Sequence, residues 1–387
     1  MIARYKPSRM DAEMIDRITG KISQELAEWY GPGARMDPCA PEIRSHRNSF
    51  MLRYSLRDSR KQQKHILVKI RRKPKMTALH EAVLADIHQY IPAEYRSLQY
   101  VYSQLPPTHK QLGAIRPLTY LDQDFAIVME EYPSQTLRQL LNNHRSVSTG
   151  DTLDELRDAA RKTGLWLRHF HDHIHIPVEM RHTAEDILQE VQEYAGRIET
   201  SSHGRVRARS ILDAFATRLK NIPIERMVFS QTHTDMTCDN VLFSMDGKVG
   251  VTDIKTRPAP VYADLGMLLI HPETFKCQIF TAGTYYTDSL LHEYRSQILA
   301  GYFRGRPGHQ VSVGIYTAVK VLDKWLMYED LMKGYRSIKR LMRLPVAPLV
   351  SAYFQNLMHK HLRSFIFIAA MLDLFEEVPL YGLVNVV

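Results

Sequence analysis

The chain has 387 residues, 44% of them hydrophobic and 24% charged, which suits a large core in two domains or lobes and excludes extended disorder. Its three cysteines (Cys39, Cys238 and Cys277) are widely spaced, with no pairing suited to a metal, as expected of a protein in a reducing, cytoplasmic setting. Met1–Lys6 lacks the apolar stretch of a signal peptide, and the longest apolar run, Phe365 to Leu372, is too short to span a bilayer.

The first periodic segment is residues 9 to 30. Met10, Met14, Ile15, Ile18, Ile22, Leu26 and Trp29 recur at helical spacing, and Gly31-Pro32-Gly33 ends the pattern. Such a helix ahead of the first strand either caps the small lobe or carries a contact with a second copy. From Glu42 to Arg57 the pattern is strand-like, with a turn predicted at 44–49. His65-Ile66-Leu67-Val68-Lys69-Ile70 is a second strand with one lysine inside an apolar run, and a buried ammonium is costly unless it is paired. A helix is expected over 76–90.

Charge is uneven along the chain. The net charge is +9, and residues 1 to 75 hold 18 Lys and Arg against 8 Asp and Glu, densest between Arg57 and Lys75. A solvated edge is the favoured reading of this patch; a peripheral contact with an anionic membrane is the alternative, and nucleic acid is not expected.

Two further strands are predicted over 113–121 and 124–132, the latter ending in Glu130-Glu131-Tyr132-Pro133. Helices follow over 134–143, 151–173, 183–199 and 206–219. The histidine-rich stretch from Leu167 to His175 suggests metal, but residues two apart on a helix face away from each other, so packing is the better reading. Later helices are expected over 287–302, 308–335 and 347–375.

The segment between these helices is the most informative. Ser230-Gln231-Thr232-His233-Thr234-Asp235 leads through Cys238 to Asn240, then Val241-Leu242-Phe243 and Val249-Gly250-Val251-Thr252-Asp253. Cys238 reads as a small filler rather than a nucleophile. An Asp, an Asn five residues on and a second Asp thirteen beyond it are what phosphoryl transfer uses. One carboxylate takes the proton of the attacking hydroxyl, while an amide and another carboxylate hold Mg²⁺.

This His-x-Asp-x-x-x-x-Asn segment with its later Asp resembles the catalytic and metal loops of the aminoglycoside phosphotransferase and choline kinase branch of kinase-like phosphotransferases. Asp253 is followed by Ile254-Lys255 rather than by the Phe-Gly of protein kinases. The resemblance implies an α+β, two-lobed kinase-like fold, with a small β-rich lobe over residues 1–132 and a larger, mostly helical lobe over 133–387. It implies ATP or GTP with Mg²⁺ in the cleft. Lys69, held by Glu81, would hold the α and β phosphates; Asn240 and Asp253 would bind the metal; Asp235 would be the catalytic base.

Further roles come from the same resemblance. Ser45, Asn48 and Ser49 stand where the phosphate-covering loop would fold, although the loop lacks glycine. Glu130 and Tyr132 would offer backbone groups to the base. His233 and Asp264 would support the catalytic loop. Trp325, Tyr328 and Glu329 share a helical face that could receive the acceptor, whether a sugar, amino sugar or glycan hydroxyl or, alternatively, a choline- or ethanolamine-type alcohol or a lipid head group. A nucleotide-binding pseudokinase scaffold is the reading from another class.

Overall fold

A computed structural model describes residues 7–46, 48–73, 76–83, 91–105, 109–145, 153–173, 183–202, 204–219, 229–304, 310–334 and 347–363. The chain divides into two compact units, one of residues 1–134 with 244–255 and the other of 135–243 with 256–387. Assigning residues 244–255 to the first unit departs from the single boundary read at residue 132. Arg47, Lys75, part of the 76–90 segment, Ile174, His175 and the Phe365–Leu372 run lie outside the described residues.

The first unit is built on an antiparallel sheet backed by a helix. Helix α1 (Arg9–Tyr30) starts at a reciprocal cap in which Ser8 Oγ accepts the Asp11 N–H and Asp11 accepts the Ser8 N–H. Strands β1 (Arg35–Met36), β2 (Glu42–Ser45), β3 (Ser49–Arg57), β4 (Gln63–Arg71), β5 (Pro117–Leu121) and β6 (Ala126–Glu130) follow. They are ordered β1-β3-β4-β6-β5, with β2 also on β3.

Strand alternation decides which face is dry. Phe50, Leu52, Tyr54 and Leu56 of β3 and Ile66, Val68 and Ile70 of β4 share a core with Ile18, Ile22 and Leu26 of α1. Lys69, between Val68 and Ile70, therefore points to the other face, in register with Met51 and Ile127. The cap of α1 reaches further: Asp11 also accepts from the backbone and ring of His80, which lies on α2 (Leu79–Val83). In the turn between β5 and β6 the fully buried Asp124 is paired with Arg17 and Lys21 of α1.

Helix α3 (Ile91–Gln104) packs on β5 and β6. The sequence reading has no element here, because Pro92 and the Tyr- and Ser-rich stretch conceal the apolar spacing of Ile91, Leu98 and Val101. Segment 244–255 joins this unit through β10 (Val249–Val251). Gly113 N–H donates to the Val249 carbonyl at 2.7 Å, and Val249 N–H donates to Gln111 at 3.1 Å. The Tyr132 ring covers Gly113 and Gly250, where any side chain would collide with it or crowd it. In the basic stretch, Arg71 and Arg72 turn inward onto Glu94 and onto the carbonyls of His46 and Met76, while Arg60 and Lys61 stay exposed in a turn closed by Asp58.

The second unit is mostly helical. β7 (Ser134–Thr136) ends where Thr136 caps α4 (Leu137–Asn143), so the helix expected from 134 begins three residues later. α5 (Leu153–His173), α6 (Ala184–Ser201) and α7 (Ala208–Leu219) follow, α6 opening on the Thr183–Asp186 capping box. Strands β8 (Phe229–Thr232) and β11 (Arg257–Pro260) pair antiparallel, with Thr232 opposite Arg257 and Phe229 opposite Pro260; β9 (Val241–Ser244) comes after the loop that leaves β8.

Helix α8 (Val261–Ile270) is buried on all sides, against α11 (Gln310–Gly334) among others. α9 (Lys276–Phe280) and α10 (Asp288–Phe303) lie between them in sequence, and residues 347–363 form α12. α5 and α10 meet at glycines: a Cβ on Gly164 would overlap the Ile298 carbonyl, and one on Gly301 that of Arg161. Buried Glu273 ties α12 to α10 through Arg295, Lys360 and His361. Among the described residues no helix is long and apolar enough to cross a membrane.

Candidate active site

In the first unit the site is built around Lys69. Its Nζ donates to Glu94 Oε1 at 2.7 Å and is also ion-paired with Asp253. Glu94, on the first turn of α3, is 2% exposed, and its second oxygen, Oε2, accepts from Arg71 Nε at 2.7 Å and from Arg71 Nη2. Burial lowers the Lys69 ammonium to about 8 against the upward pull of Glu94. Burial also opposes ionisation of Glu94, but Lys69 and Arg71 hold its carboxyl below the ordinary range.

The acid on Lys69 is thus Glu94, and not Glu81. Glu81 is exposed and accepts the N–H groups of Thr77 and Ala78 at 3.0 and 3.1 Å, capping its own helix. A signal for Glu94 was available: it sits on the same face as Ile91, Leu98 and Val101, an acid on an otherwise apolar stripe. Asp253 has φ +60°, the left-handed region that Asp tolerates better than most residues.

Elsewhere in this unit the expected nucleotide contacts are partly engaged already. Glu130 donates its N–H to the Arg116 carbonyl at 2.9 Å, so that N–H is engaged, and the Tyr132 carbonyl already accepts one bond, from Ser134 Oγ at 2.8 Å. The β2–β3 turn is held by Arg72, whose N–H donates to the Asn48 carbonyl and whose Nε donates to that of His46; Ser49 O accepts the His46 N–H. The side chains of Ser45 and Asn48 are exposed.

In the second unit β8 ends at Thr232, and the chain leaves it through His233 into the Thr234–Asn240 loop. Thr234 has φ +68°, unusual for a β-branched residue. The strained turn is held by Asp264 on the first turn of α8, whose carboxylate accepts the His233 N–H at 2.5 Å and the Thr234 N–H at 2.9 Å. His171 of α5 meets the same carboxylate at 3.2 Å through Nε2 and takes the Tyr302 hydroxyl at 2.9 Å on Nδ1, so this histidine serves the loop rather than a metal. Burial would raise the Asp264 carboxyl; the bonds from His171 and His233 hold it down and keep it ionised.

The far end of the loop is anchored as well. Cys238 N–H donates to His271 Nδ1 at 3.1 Å, which fixes the neutral tautomer, and burial keeps His271 well below its ordinary pKa. The Cys238 thiol is buried against the Tyr294 hydroxyl and pushed up to about 12. Between these anchors, Asn240 Nδ2 donates to the Asp235 carbonyl at 2.8 Å and lies 3.3 Å from Asp235 Oδ2.

Trp325, Tyr328 and Glu329 prove to be core. Trp325 is 0% exposed, Glu329 accepts from Trp325 Nε1, Ser351 and Arg205, and Tyr328 donates to the Thr274 carbonyl. With every polar atom committed inside the helical unit, they do not form an acceptor wall. Among the described residues no three His, Cys, Asp or Glu side chains gather as a metal cage. Mg²⁺ bound through substrate phosphates needs none, since one or two protein oxygens suffice.

Among solved structures the chain is similar to Plasmodium vivax ethanolamine kinase, at 8% identity and TM-score 0.52 over 93% of each chain. It is also similar to choline kinase from Cryptosporidium parvum, at 11% identity and TM-score 0.49 over 95% of this chain and 99% of that one. A macrolide 2'-phosphotransferase of type I matches at 12% identity and TM-score 0.49, over 87% and 96%. No protein-family model and no curated protein matches the sequence. The ethanolamine kinase likeness shows the fold: a mixed α+β fold shared with that kinase.

Proposed function

We propose that the chain is a phosphotransferase that moves the γ-phosphoryl group of ATP or GTP to the hydroxyl of a small molecule. The observation that carries this reading is Lys69: a buried cation placed by strand alternation on the polar side of the sheet and paired with both Glu94 and Asp253. The strained His233-Thr234-Asp235 turn supports it independently.

Lys69 would hold the α and β phosphates, with Ser45, Asn48 and Ser49 as further donors. Asp253 and the Asn240 amide oxygen would each offer an oxygen to Mg²⁺, which when bound supplies charge neutralisation on the phosphates. Asp235 would accept the acceptor's hydroxyl proton as the new O–P bond forms and the bond to the β-phosphate oxygen breaks. The backbone clamp on Thr234 and the Asn240 bond to the Asp235 carbonyl fix where that carboxylate stands, which suits a loose transition state governed by positioning.

A sugar, amino sugar or glycan hydroxyl is the acceptor class we favour. The burial of Trp325, Tyr328 and Glu329 withdraws the residues expected to receive the acceptor, so the choice between this class and a choline-type alcohol rests on the test. The test is nucleotide consumption by the purified protein with Mg²⁺ over a panel of sugars, amino sugars, glycan fragments and amino alcohols. Turnover with the first three classes is expected; turnover with amino alcohols alone would overturn the acceptor class, and none with any acceptor, together with no nucleotide binding, would overturn the reading.

A further inference from the structure

Glu94 has two oxygens and two cationic partners, and it divides them. Oε1 takes Lys69 Nζ at 2.7 Å, and Oε2 takes Arg71 Nε at 2.7 Å together with Nη2. All three residues belong to one unit, with Lys69 and Arg71 two positions apart on the same face of β4 and Glu94 facing them from α3. The carboxylate is 2% exposed, so water cannot replace a partner that leaves.

If Lys69 were its only cation, any movement of the ammonium toward phosphate oxygens would strand a buried anion, and the protein would resist the movement. Arg71 removes that resistance. Its guanidinium fork fixes the plane of the carboxylate, so Oε1 keeps its aim, and it keeps Glu94 neutralised whatever Lys69 does. We infer that Arg71 is a positioning residue for Lys69, holding Glu94 so that the lysine can be shared with a nucleotide's phosphates. This rests on the phosphotransferase reading above.

The experiment uses the full chain with Arg71→Gln, Arg71→Lys, Lys69→Met, Glu94→Gln and the Arg71→Gln/Glu94→Gln double variant. ATP affinity, KM for ATP and kcat are measured with Mg²⁺, and thermal unfolding is followed alongside. Arg71→Gln should raise KM and Kd for ATP roughly ten-fold while kcat at saturation changes less than about two-fold. Arg71→Lys, which keeps the charge with a single point donor, should recover most of the affinity. In the double variant the loss of Arg71 should add nothing to the loss of Glu94, because no anion remains to be held.

Wild-type ATP affinity in Arg71→Gln, a fall in kcat that tracks the folded fraction at unchanged KM, or additive effects in the double variant would each overturn the inference. If Arg71→Gln does not fold, Arg71→Lys decides: a rise of about two- to three-fold in KM and Kd for ATP at nearly unchanged kcat in a stable protein supports the positioning role, as expected when a point donor replaces the fork, and wild-type KM and Kd, or kcat lost at unchanged KM, overturns it. Failure of the underlying reading looks different, since then the wild type itself binds no ATP and Lys69→Met changes nothing.

Discussion

Asp264 accepts the backbone N–H of Thr234 at 2.9 Å, reaching back thirty residues to a β-branched position held at φ +68°. The buried carboxylate and the strained turn sustain each other. Asp264→Asn, which exchanges the charged acceptor for a half-donor amide, should cost about 3 kcal/mol of stability. Thr234→Gly, which removes the steric strain, should be neutral or stabilising and should recover part of that loss when combined with it. Denaturant midpoints of the four proteins check this; an Asp264→Asn midpoint equal to that of the wild type would show that the turn holds itself.

Two substitutions separate metal binding from proton transfer. Asp253→Ala removes the carboxylate beside Lys69 and should abolish Mg²⁺-dependent turnover. Asp235→Asn should lower turnover by about 10²–10⁴-fold while nucleotide affinity stays within about three-fold. Isothermal titration with ATP and steady-state kinetics supply both readouts, and a matched loss of binding in Asp235→Asn would mark that residue as structural.

The cysteines give a test of the loop's packing. Cys39 and Cys277 are exposed, whereas burial pushes the Cys238 thiol up to about 12. A disulfide reagent at pH 8 should titrate two thiols quickly in the native protein and the third only after unfolding. Three fast thiols would mean that the Asp235–Asn240 loop opens.

Acid should loosen the anchor of α12. The Glu273 carboxyl is held far down: burial opposes its ionisation, but Arg295, His361 and Lys360 prevail. Its stabilisation is therefore complete above the ordinary glutamate value of 4.5 and is lost as pH falls below it. His361 is kept by burial below its ordinary 6.5, so the folded chain also binds fewer protons than the unfolded chain in the mildly acid range, and acid again favours unfolding. Melting temperature should drop between pH 7 and pH 4. Glu273→Gln should be less stable by about 3 kcal/mol at pH 7 yet flatter as pH falls below 4.5; a slope equal to the wild type's there would remove Glu273 from the account.

Gly164 and Gly301 allow α5 and α10 to touch backbone to backbone. Alanine favours a helix over glycine by about 1 kcal/mol, yet Gly164→Ala should destabilise the protein by about 2–3 kcal/mol, because the added methyl has only a carbonyl to displace. Thermal melts decide, and a rise in melting temperature would mean that the two helices are free to part.

How much the sequence revealed depends on range. The α1 stripe and the β3 and β4 alternation that isolates Lys69 are local patterns, and local patterns survive in a linear reading. The partner of Lys69 was not local. Glu81 lies closer in sequence and comes after the strand in the expected order, whereas Glu94 reaches the lysine only because α3 folds across β5 and β6. The same limit misled the reading of Trp325, Tyr328 and Glu329: helical spacing reports that three side chains share a face, and not whether Arg205 and Ser351 already occupy it. The contact at Gly164 and Gly301 is likewise invisible in the sequence, since nothing along the chain announces the backbone of another helix.

Asp124 has no water to turn to, and its countercharges, Arg17 and Lys21, come from the chain's opening helix. Trimming the first thirty residues would thus do more than shorten an appendage. It would bare the oily underside of the sheet at Leu52, Tyr54 and Val68 and strand an anion in the interior, so a shortened protein should clump during expression instead of surviving as a smaller folded one.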